Sequence, residues 1–272
     1  VSGVMLVIAI AIVLAHFRVI PASAPVYGAI WTYLVPLAIA LFLLRADLVS
    51  IVVEGGRTLV AFLFGAVGVA AGAWLGAQLL DLGPFEAQYA AVFSATYVGG
   101  SINFAAVAEA IGFREPTALA AGVAIDNVVG LGYLLAVGAS ASWPWFQRRF
   151  GWRSEHLAGG GDALGPAQRV PTVLDLALAL ALAALACAAG AAIAAAMGHA
   201  HYAILYTTAL MVAIATLGRR WLKDIAGPEL AATLLMYLFF AVLGAGADLG
   251  AMLGAAPALF AYVLVIFAMH LV

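Results

Sequence analysis

Apolar residues along the chain gather into nine long runs, separated by shorter stretches that hold most of the charged residues. Each run has about 17 to 26 residues, which is enough, or nearly enough, for an α-helix to cross a hydrocarbon core of about 30 Å. The predicted spans are 1–17, 28–44, 58–80, 88–112, 117–141, 172–197, 202–218, 229–246 and 256–272. The pattern therefore predicts an all-α, polytopic membrane helix bundle.

Composition agrees with this fold class and excludes others. Hydrophobic residues make up 67% of the 272 and charged residues 9%, whereas a soluble domain has about 25% charged residues. The net charge of −2 and the scattered basic residues give no nucleic-acid footprint. Cys187 is the only cysteine, so we expect no disulfide framework and no cysteine-based metal site.

These properties also predict where the protein lies and what it contacts. We expect a multi-pass protein of the cell membrane, the inner membrane in a bacterium, with the lipid bilayer as its main partner. No cofactor or structural metal is expected, apart from Na⁺ or H⁺ as a coupling ion. The sequence leaves a homo-oligomer open.

A glycine pair interrupts the fourth predicted span. Glycine loses the most backbone entropy on ordering, so Gly99 and Gly100 weaken the helix there. In a bilayer, an unwound turn is tolerated only where its backbone groups find protein, water or a ligand. We therefore predict a broken helix whose polar neighbours bind a substrate, although a continuous helix with close packing at the glycines is the alternative. The predicted substrate-binding residues are Tyr97, Gly99, Gly100, Ser101 and Asn103.

The fifth predicted span carries a carboxyl near the middle of the bilayer. Asp126 lies about ten residues from the start of the span, which corresponds to a depth of about 14 Å. A carboxyl at that depth normally faces a cavity or a partner rather than lipid. Gly122, Asp126 and Gly130 share one narrow helix face, which lets the broken helix approach. We predict that Asp126 and Asn127 take part in ion coupling; the alternative is a protonated Asp126 that only stabilises packing.

Two further acidic residues, Glu109 and Asp248, are candidates for function. Glu109 lies about 9 Å beyond Asn103 along the helix, and is either a second titrating group for ion coupling or a helix-end acid paired with Arg114. Asp248 follows Gly246 at a junction between two apolar runs, where it either caps the next helix or is a second functional carboxyl. An intramembrane aspartyl protease would need Asp126 and Asp248 to share a proton.

The polar stretch 142–171 divides the chain into a first membrane repeat (1–141), a connecting loop (142–171) and an incomplete second repeat (172–272). The basic residues of 142–171 and 219–227 make their shared side cytoplasmic by the positive-inside rule. Arg45 and Arg57 conflict with this assignment, because three predicted spans separate them from 142–171. Either the rule is weak there or one predicted span is not a full crossing.

Five motifs, in order along nearly the whole chain, resemble the membrane family known as domain of unknown function 819. They are Val19-Ile20-Pro21 with Pro25-Val26-Tyr27, Tyr33-Leu34-Val35-Pro36-Leu37, Leu43-Leu44-Arg45-Ala46-Asp47-Leu48, Tyr97-Val98-Gly99-Gly100-Ser101-Ile102-Asn103-Phe104 and Phe239-Phe240-Ala241-Val242-Leu243-Gly244. That family is grouped with the sodium:proton antiporters and the glutamate and bile-acid symporters. The resemblance implies two inverted repeats, each with a broken helix, and it implies no particular substrate.

The resemblance also implies a second broken helix beyond position 270. We therefore expect that residues 1–272 lack at least two helices after Val272 and one before Val1. An apolar groove beside Tyr97–Asn103 is expected where the second broken helix belongs.

The predicted function is a secondary active transporter, an ion-coupled symporter or antiporter that moves a small solute or ion. A structural or receptor-like membrane protein is the alternative. The protease is a weaker one, because Gly244-Ala245-Gly246-Ala247-Asp248 has one residue too many for a Gly-x-Gly-Asp signature. We expect no enzyme activity.

Overall fold

The computed structural model describes residues 3–46, 48–140, 143–145, 148 and 169–271. Within them every predicted span is largely helical, the fourth being divided at Gly100, and no strand occurs. The helices are α1 (Gly3–His16), α2 (Pro25–Ala29), a π-helical turn (Ile30–Leu34), α3 (Val35–Leu43), α4 (Leu48–Leu79), α5 (Glu86–Gly99), α6 (Ser101–Ala110), α7 (Pro116–Ser140), α8 (Val173–Ala196), α9 (Ala203–Leu217), α10 (Arg219–Leu222), α11 (Pro228–Gly246) and α12 (Leu249–His270). The predicted all-α membrane bundle is confirmed.

Length and composition alone qualify several of these helices as membrane spans. They are Pro25–Leu43, Gly55–Leu79, Val173–Ala196, Pro228–Gly246 and Leu249–His270. The protein is therefore a multi-pass membrane protein. Two boundaries differ from the prediction, because α4 begins at Leu48 with a non-helical residue at Gly56, and α12 begins at Leu249. Residues 149–168 of the predicted connecting loop lie outside the described part of the chain.

A stripe of glycines lets α4 and α12 pack closely. A Cβ on Gly68 would lie 2.7 Å from the Met269 carbonyl oxygen, and one on Gly76 would lie 2.7 Å from the Tyr262 ring. The two helices are therefore antiparallel and touch backbone to backbone, which favours dispersion contacts where lipid offers no hydrophobic drive.

The helices pack into two bodies. The first body consists of α4, α5, α6, α7 and α12, and the second of α1, α3, α8, α9 and α11. The second body has its own small core, formed by residues with short or flexible side chains: Ala40, Leu41, Leu44, Ala179, Ala183, Ala186, Met211 and Ala232. The first body holds the glycine break and Asp126, so the candidate site belongs to it.

The fourth predicted span, 88–112, is not a crossing, which corrects the sequence prediction. The Phe85 ring, just before α5, lies 5.4 Å from the Phe113 ring, just after α6. A helix continuing in one direction would separate these residues by about 40 Å. Further along the pair, Phe93 and Phe104 have ring centroids 6.2 Å apart. Residues 86–110 therefore form a re-entrant hairpin, which enters the bilayer and returns to the same side.

Two arginines bring three loops together on one side of the bundle. The Arg45 guanidinium donates to the carbonyl oxygens of Lys223 at 3.2 Å and Ile225 at 2.8 Å. The Arg169 guanidinium donates to the Asp224 carbonyl oxygen at 2.8 Å. The loop after α3, the loop before α8 and the loop after α10 thus share a side.

The re-entrant hairpin removes the conflict in the charge pattern. With 86–110 returning to its own side, α4 and α7 are the crossings among the described residues between Arg45 and Arg169. The hydrogen bonds of both arginines to the loop 223–225 place them on one side. Described loop residues on that side include Arg45, Arg169, Arg219, Arg220 and Lys223, whereas Arg18 and Arg114 lie on the other. The positive-inside rule makes the first side cytoplasmic and the second the outer side.

Helix directions follow from these side assignments. In 1–141, α1, α3, α4 and α7 run outward, inward, outward and inward, and in 172–272, α8, α9, α11 and α12 run in the same order. The inverted repeat and the division at 142–171 stay predictions.

The hairpin topology predicts a labelling pattern. In a Cys187→Ala background, Pro84→Cys and Ile111→Cys should both react with a membrane-impermeant maleimide added to intact cells. Lys223→Cys should react only after permeabilisation and serves as the control. Labelling of Ile111→Cys only after permeabilisation, with Pro84→Cys labelled from outside, would show that 86–110 crosses the membrane.

Candidate functional site

Gly100 reverses the chain between α5 and α6. Its φ of 84° and ψ of −179° fall in a region that only glycine occupies readily. The Gly100 N–H donates to the Thr96 carbonyl oxygen at 2.6 Å, and the Asn103 N–H donates to the Gly100 carbonyl oxygen at 2.9 Å. The helix break at the glycine pair is therefore confirmed, and the alternative of a continuous helix is wrong.

Asp126 holds the two halves of the hairpin together. Its Oδ2 accepts hydrogen bonds from Thr96 Oγ1 at 3.3 Å, on α5, and from Ser101 Oγ at 3.4 Å, on α6. Sequence reasoning missed Thr96. The sequence feature that could have found it is its position one turn before Gly100. From there its hydroxyl faces Asp126, which is also the partner of Ser101.

The narrow face of α7 makes this contact possible. A Cβ on Gly122 would lie 3.1 Å from Phe104 Cζ. A Cβ on Gly130 would lie 3.8 Å from Asp126 Oδ1 and 3.9 Å from Tyr97 Cε1. The prediction that small residues around Asp126 admit the broken helix is confirmed.

A cavity of about 1050 Å³ opens beside the hairpin turn. The described residues that line it are Met5, Val69, Thr96, Tyr97, Gly100, Ser101, Asp126, Asn127, Val128, Gly130, Tyr133, Phe267 and His270. Asp126 is the only acid among them, and none is Lys or Arg. Part of the face beside the break is covered by α12, since Phe267 meets Tyr97 at 4.6 Å, and the expected groove for a further broken helix stays a prediction.

The cavity faces the cytoplasmic side of Asp126. Tyr133 lies two turns further along α7, and its hydroxyl is 2.7 Å from Nδ1 of His270 at the cytoplasmic end of α12. On the outer side of the carboxyl, aromatic rings fill the space, with Phe93 5.8 Å from Tyr262 and 6.2 Å from Phe104. The cavity therefore extends from Asp126 toward Tyr133 and His270, and aromatic rings pack on the opposite side of the carboxyl.

Tyr97 adds a polar atom to this site. Its hydroxyl oxygen is buried and meets no partner at full hydrogen-bond geometry in the described part of the chain, but it lies beside the Asp126 carboxyl. The ring stacks on Phe93 at 5.9 Å and meets Phe267 edge-on at 4.6 Å. These contacts fix the ring, so the hydroxyl stays close to Asp126.

The other predicted site residues have different surroundings. Asn127 lines the cavity, while its amide donates to the Val123 carbonyl oxygen at 2.8 Å. Asn103 folds back against Gly99, where a Cβ would collide with its side chain, and neither residue lines the cavity. The predicted substrate-binding set is therefore brought together only in part, as Tyr97, Gly100 and Ser101.

Glu109 does not join Asp126, which corrects its grouping with the ion-coupling residues. It lies about 12 Å along α6 from Ser101, lines a separate cavity, and accepts from Arg114 Nη2 at 2.8 Å. The alternative interpretation, a helix-end acid near Arg114, describes its contacts. The structure places it at the outer end of the hairpin because α6 turns back there.

Asp248 also lies apart from Asp126. Its carboxyl caps α12 by accepting from the Ala251 N–H at 2.9 Å, so the capping interpretation is confirmed. Asp248 lines an outer cavity with His16 and Ala245, away from the cavity of Asp126. In the described residues, no three His, Cys, Asp or Glu side chains form a group that could hold a metal ion.

With this geometry in place, comparisons identify the family. The family model described as protein of unknown function (DUF819) matches residues 1–272. The chain belongs to the DUF819 family. A DUF819 relative, the uncharacterized membrane protein YjcL of Bacillus subtilis strain 168, is 32% identical over 285 residues, which cover 98% of this chain and 71% of YjcL. No solved structure matches this DUF819 chain.

The turn in this DUF819 chain predicts a specific sensitivity to substitution. Gly100→Ala should lower the free energy of unfolding by about 1–3 kcal/mol, because a side chain strains the backbone at this φ and ψ. The measurement is thermal or denaturant unfolding in detergent. Gly132→Ala on α7 is the matched control, since a Cβ there meets no atom within 4 Å. Equal stability of the two variants would contradict the strained turn.

Proposed function

We propose that this protein is a secondary active transporter in which Asp126 binds the coupling cation, Na⁺ or H⁺. The observation that carries the proposal is the position of one carboxyl, bonded to both halves of a re-entrant hairpin, at the closed end of a cavity open to the cytoplasm. A midplane carboxyl that faces a cavity is a typical feature of ion pathways in membrane proteins.

The electrostatics of the hairpin support a cation beside Asp126. The carboxyl end of α5 at Gly99 carries partial negative charge of about half an elementary charge, and the N-terminal end of α6 carries the opposite partial charge. Hydroxyl oxygens of Thr96 and Ser101 lie next to the carboxylate, and oxygen atoms are the ligands that hard cations prefer. A cation would therefore find both charge and ligands on the α5 side of the turn.

The chemistry of the solute follows from the residues that line the cavity. No Lys or Arg lines the described cavity, so a strongly anionic solute would lack a counter-charge. A small, neutral or cationic solute fits the apolar and aromatic walls better. Binding of the cation neutralises Asp126, which lowers the cost of moving the hairpin relative to its neighbours when access changes to the outer side.

Two other functions fit the observations less well. A receptor-like protein would explain the cavity but not the need for a carboxyl at the hairpin turn. An aspartyl protease needs two carboxyls that share a proton, whereas Asp126 and Asp248 line different cavities. We therefore propose transport without enzyme activity.

The central test replaces the carboxyl by an amide of the same shape. Wild-type protein in detergent should gain stability with rising Na⁺ at constant ionic strength, or with falling pH if the ion is H⁺. Ligand binding at 100 times the dissociation constant stabilises by about 2.7 kcal/mol. Asp126→Asn should stay folded and lose this response, because an amide cannot carry the charge.

Asp81→Asn, on the outer loop before α5, is the control for the same chemical change and should keep the response. An undiminished ion response in Asp126→Asn would show that the carboxyl is structural. In proteoliposomes the same variant should show no ion-dependent solute uptake, which separates transport from binding alone.

The Thr96 hydroxyl, which donates to the Asp126 carboxyl, allows a second test in which ion binding is weakened rather than lost. Thr96→Val removes an oxygen while keeping the shape, and should weaken ion binding by about tenfold if that oxygen is a ligand. Asn103→Ala changes a residue outside the cavity and should leave the dissociation constant of the ion unchanged. Thermal-shift titrations of both variants measure the constants, and an equal loss in both would contradict the assignment.

A further inference from the structure

A second cavity, of about 940 Å³, lies on the outer side between the two bodies. Its walls come from the π-helical turn and α3, from α8 and α9, and from the outer end of the hairpin at Glu109–Arg114. It shares no described lining residue with the cavity of Asp126. The proposed transport mechanism uses none of it.

The charged pair in this outer cavity is only partly satisfied. Arg114 Nη2 donates to Glu109 Oε1 at 2.8 Å, and the side chains are 45% and 14% exposed respectively. Glu109 Oε2 is buried and has no hydrogen-bond partner in the described residues. A buried carboxylate oxygen without a donor costs free energy. The site thus has one acceptor to fill, next to a half-exposed guanidinium.

The position of the guanidinium leaves donors available for a ligand. Arg114 lies over the Trp31 ring, 5.5 Å from its centroid, which holds the guanidinium plane at the cavity wall. Arginine has five N–H donors, of which Glu109 uses one. A ligand that carries an ammonium group and an anionic oxygen close together would complete both members of the pair.

The remaining wall of the outer cavity is apolar and open to the bilayer. Ala184, Ala188 and Ala191 of α8 are exposed, lie on one helix face, and leave a shallow groove. Tyr33, across the cavity, is 69% exposed, as expected for an aromatic residue at the membrane interface. The Glu109–Arg114 pair and the apolar groove beside it correspond to the charged headgroup and the apolar chain of an amphiphile.

We propose that the outer cavity binds a phospholipid with an ethanolamine headgroup. The ammonium donates to Glu109 Oε2, the phosphate accepts from Arg114, and an acyl chain lies along the alanine groove of α8. A choline headgroup has no N–H to donate, and a glycerol headgroup has no cation. A soluble zwitterion satisfies the charges but leaves the groove empty.

The test measures lipid binding to the whole chain purified in detergent. Native mass spectrometry should show tighter binding of phosphatidylethanolamine than of phosphatidylcholine or phosphatidylglycerol with the same acyl chains, by about tenfold for a charge-assisted hydrogen bond. Soluble phosphoethanolamine should bind far more weakly than the lipid. Equal binding of the three lipids, or binding of phosphoethanolamine as tight as that of the lipid, would overturn the proposal.

Two variants test separately how the headgroup contact and the groove contribute to lipid binding. Glu109→Gln should reduce the preference for ethanolamine, whereas Glu86→Gln, an outer acid outside this cavity, should keep it. Ala188→Phe fills the groove without touching the charged pair and should weaken all three lipids. An unchanged preference in Glu109→Gln, or unchanged binding in Ala188→Phe, would contradict the proposed pose. None of these readouts depends on transport.

Discussion

The reversal of the chain at Gly100 is the constraint on which the rest of the site depends. A helix that stops inside a bilayer exposes backbone groups and two opposite partial charges where no water satisfies them. Next to this turn, the Asp126 carboxyl of α7 accepts hydrogen bonds from side-chain hydroxyls on both arms of the hairpin, Thr96 and Ser101. The turn and Asp126 therefore form one hydrogen-bonded unit.

Close approach of helices makes this unit possible. Gly122 and Gly130 bring α7 against the hairpin, as Gly68 and Gly76 bring α4 against α12. Between them, the rings of Phe93, Phe104 and Tyr262 fill the outer half of the first body, and the cytoplasmic half keeps a cavity. The carboxyl thus lies between a cavity on one side and packed aromatic rings on the other.

The charge pattern and the hairpin explain each other. Counting 88–112 as a crossing puts Arg45 on the wrong side of the membrane, whereas the observed hydrogen bonds of Arg45 to the loop 223–225 put it with the other basic residues. The positive-inside rule was thus informative before the structure, because the conflict left two explanations open: a weak rule at Arg45 and Arg57, or a predicted span that is not a full crossing. It did not indicate which one.

The helical class and the membrane location follow from the sequence, because they depend on local hydrophobicity. The break at Gly99-Gly100 and its approach to the narrow face of Asp126 were predicted from glycine entropy and helix periodicity, with a continuous helix as the open alternative. Only the tertiary structure decided the direction of the chain after the break. It also separated Glu109 from Asp126, turned Asn103 away from the cavity, and added Thr96 to the site. The physical reason is that one positive φ at Gly100 sets the path of the next ten residues, and composition and spacing carry no information about a single backbone angle.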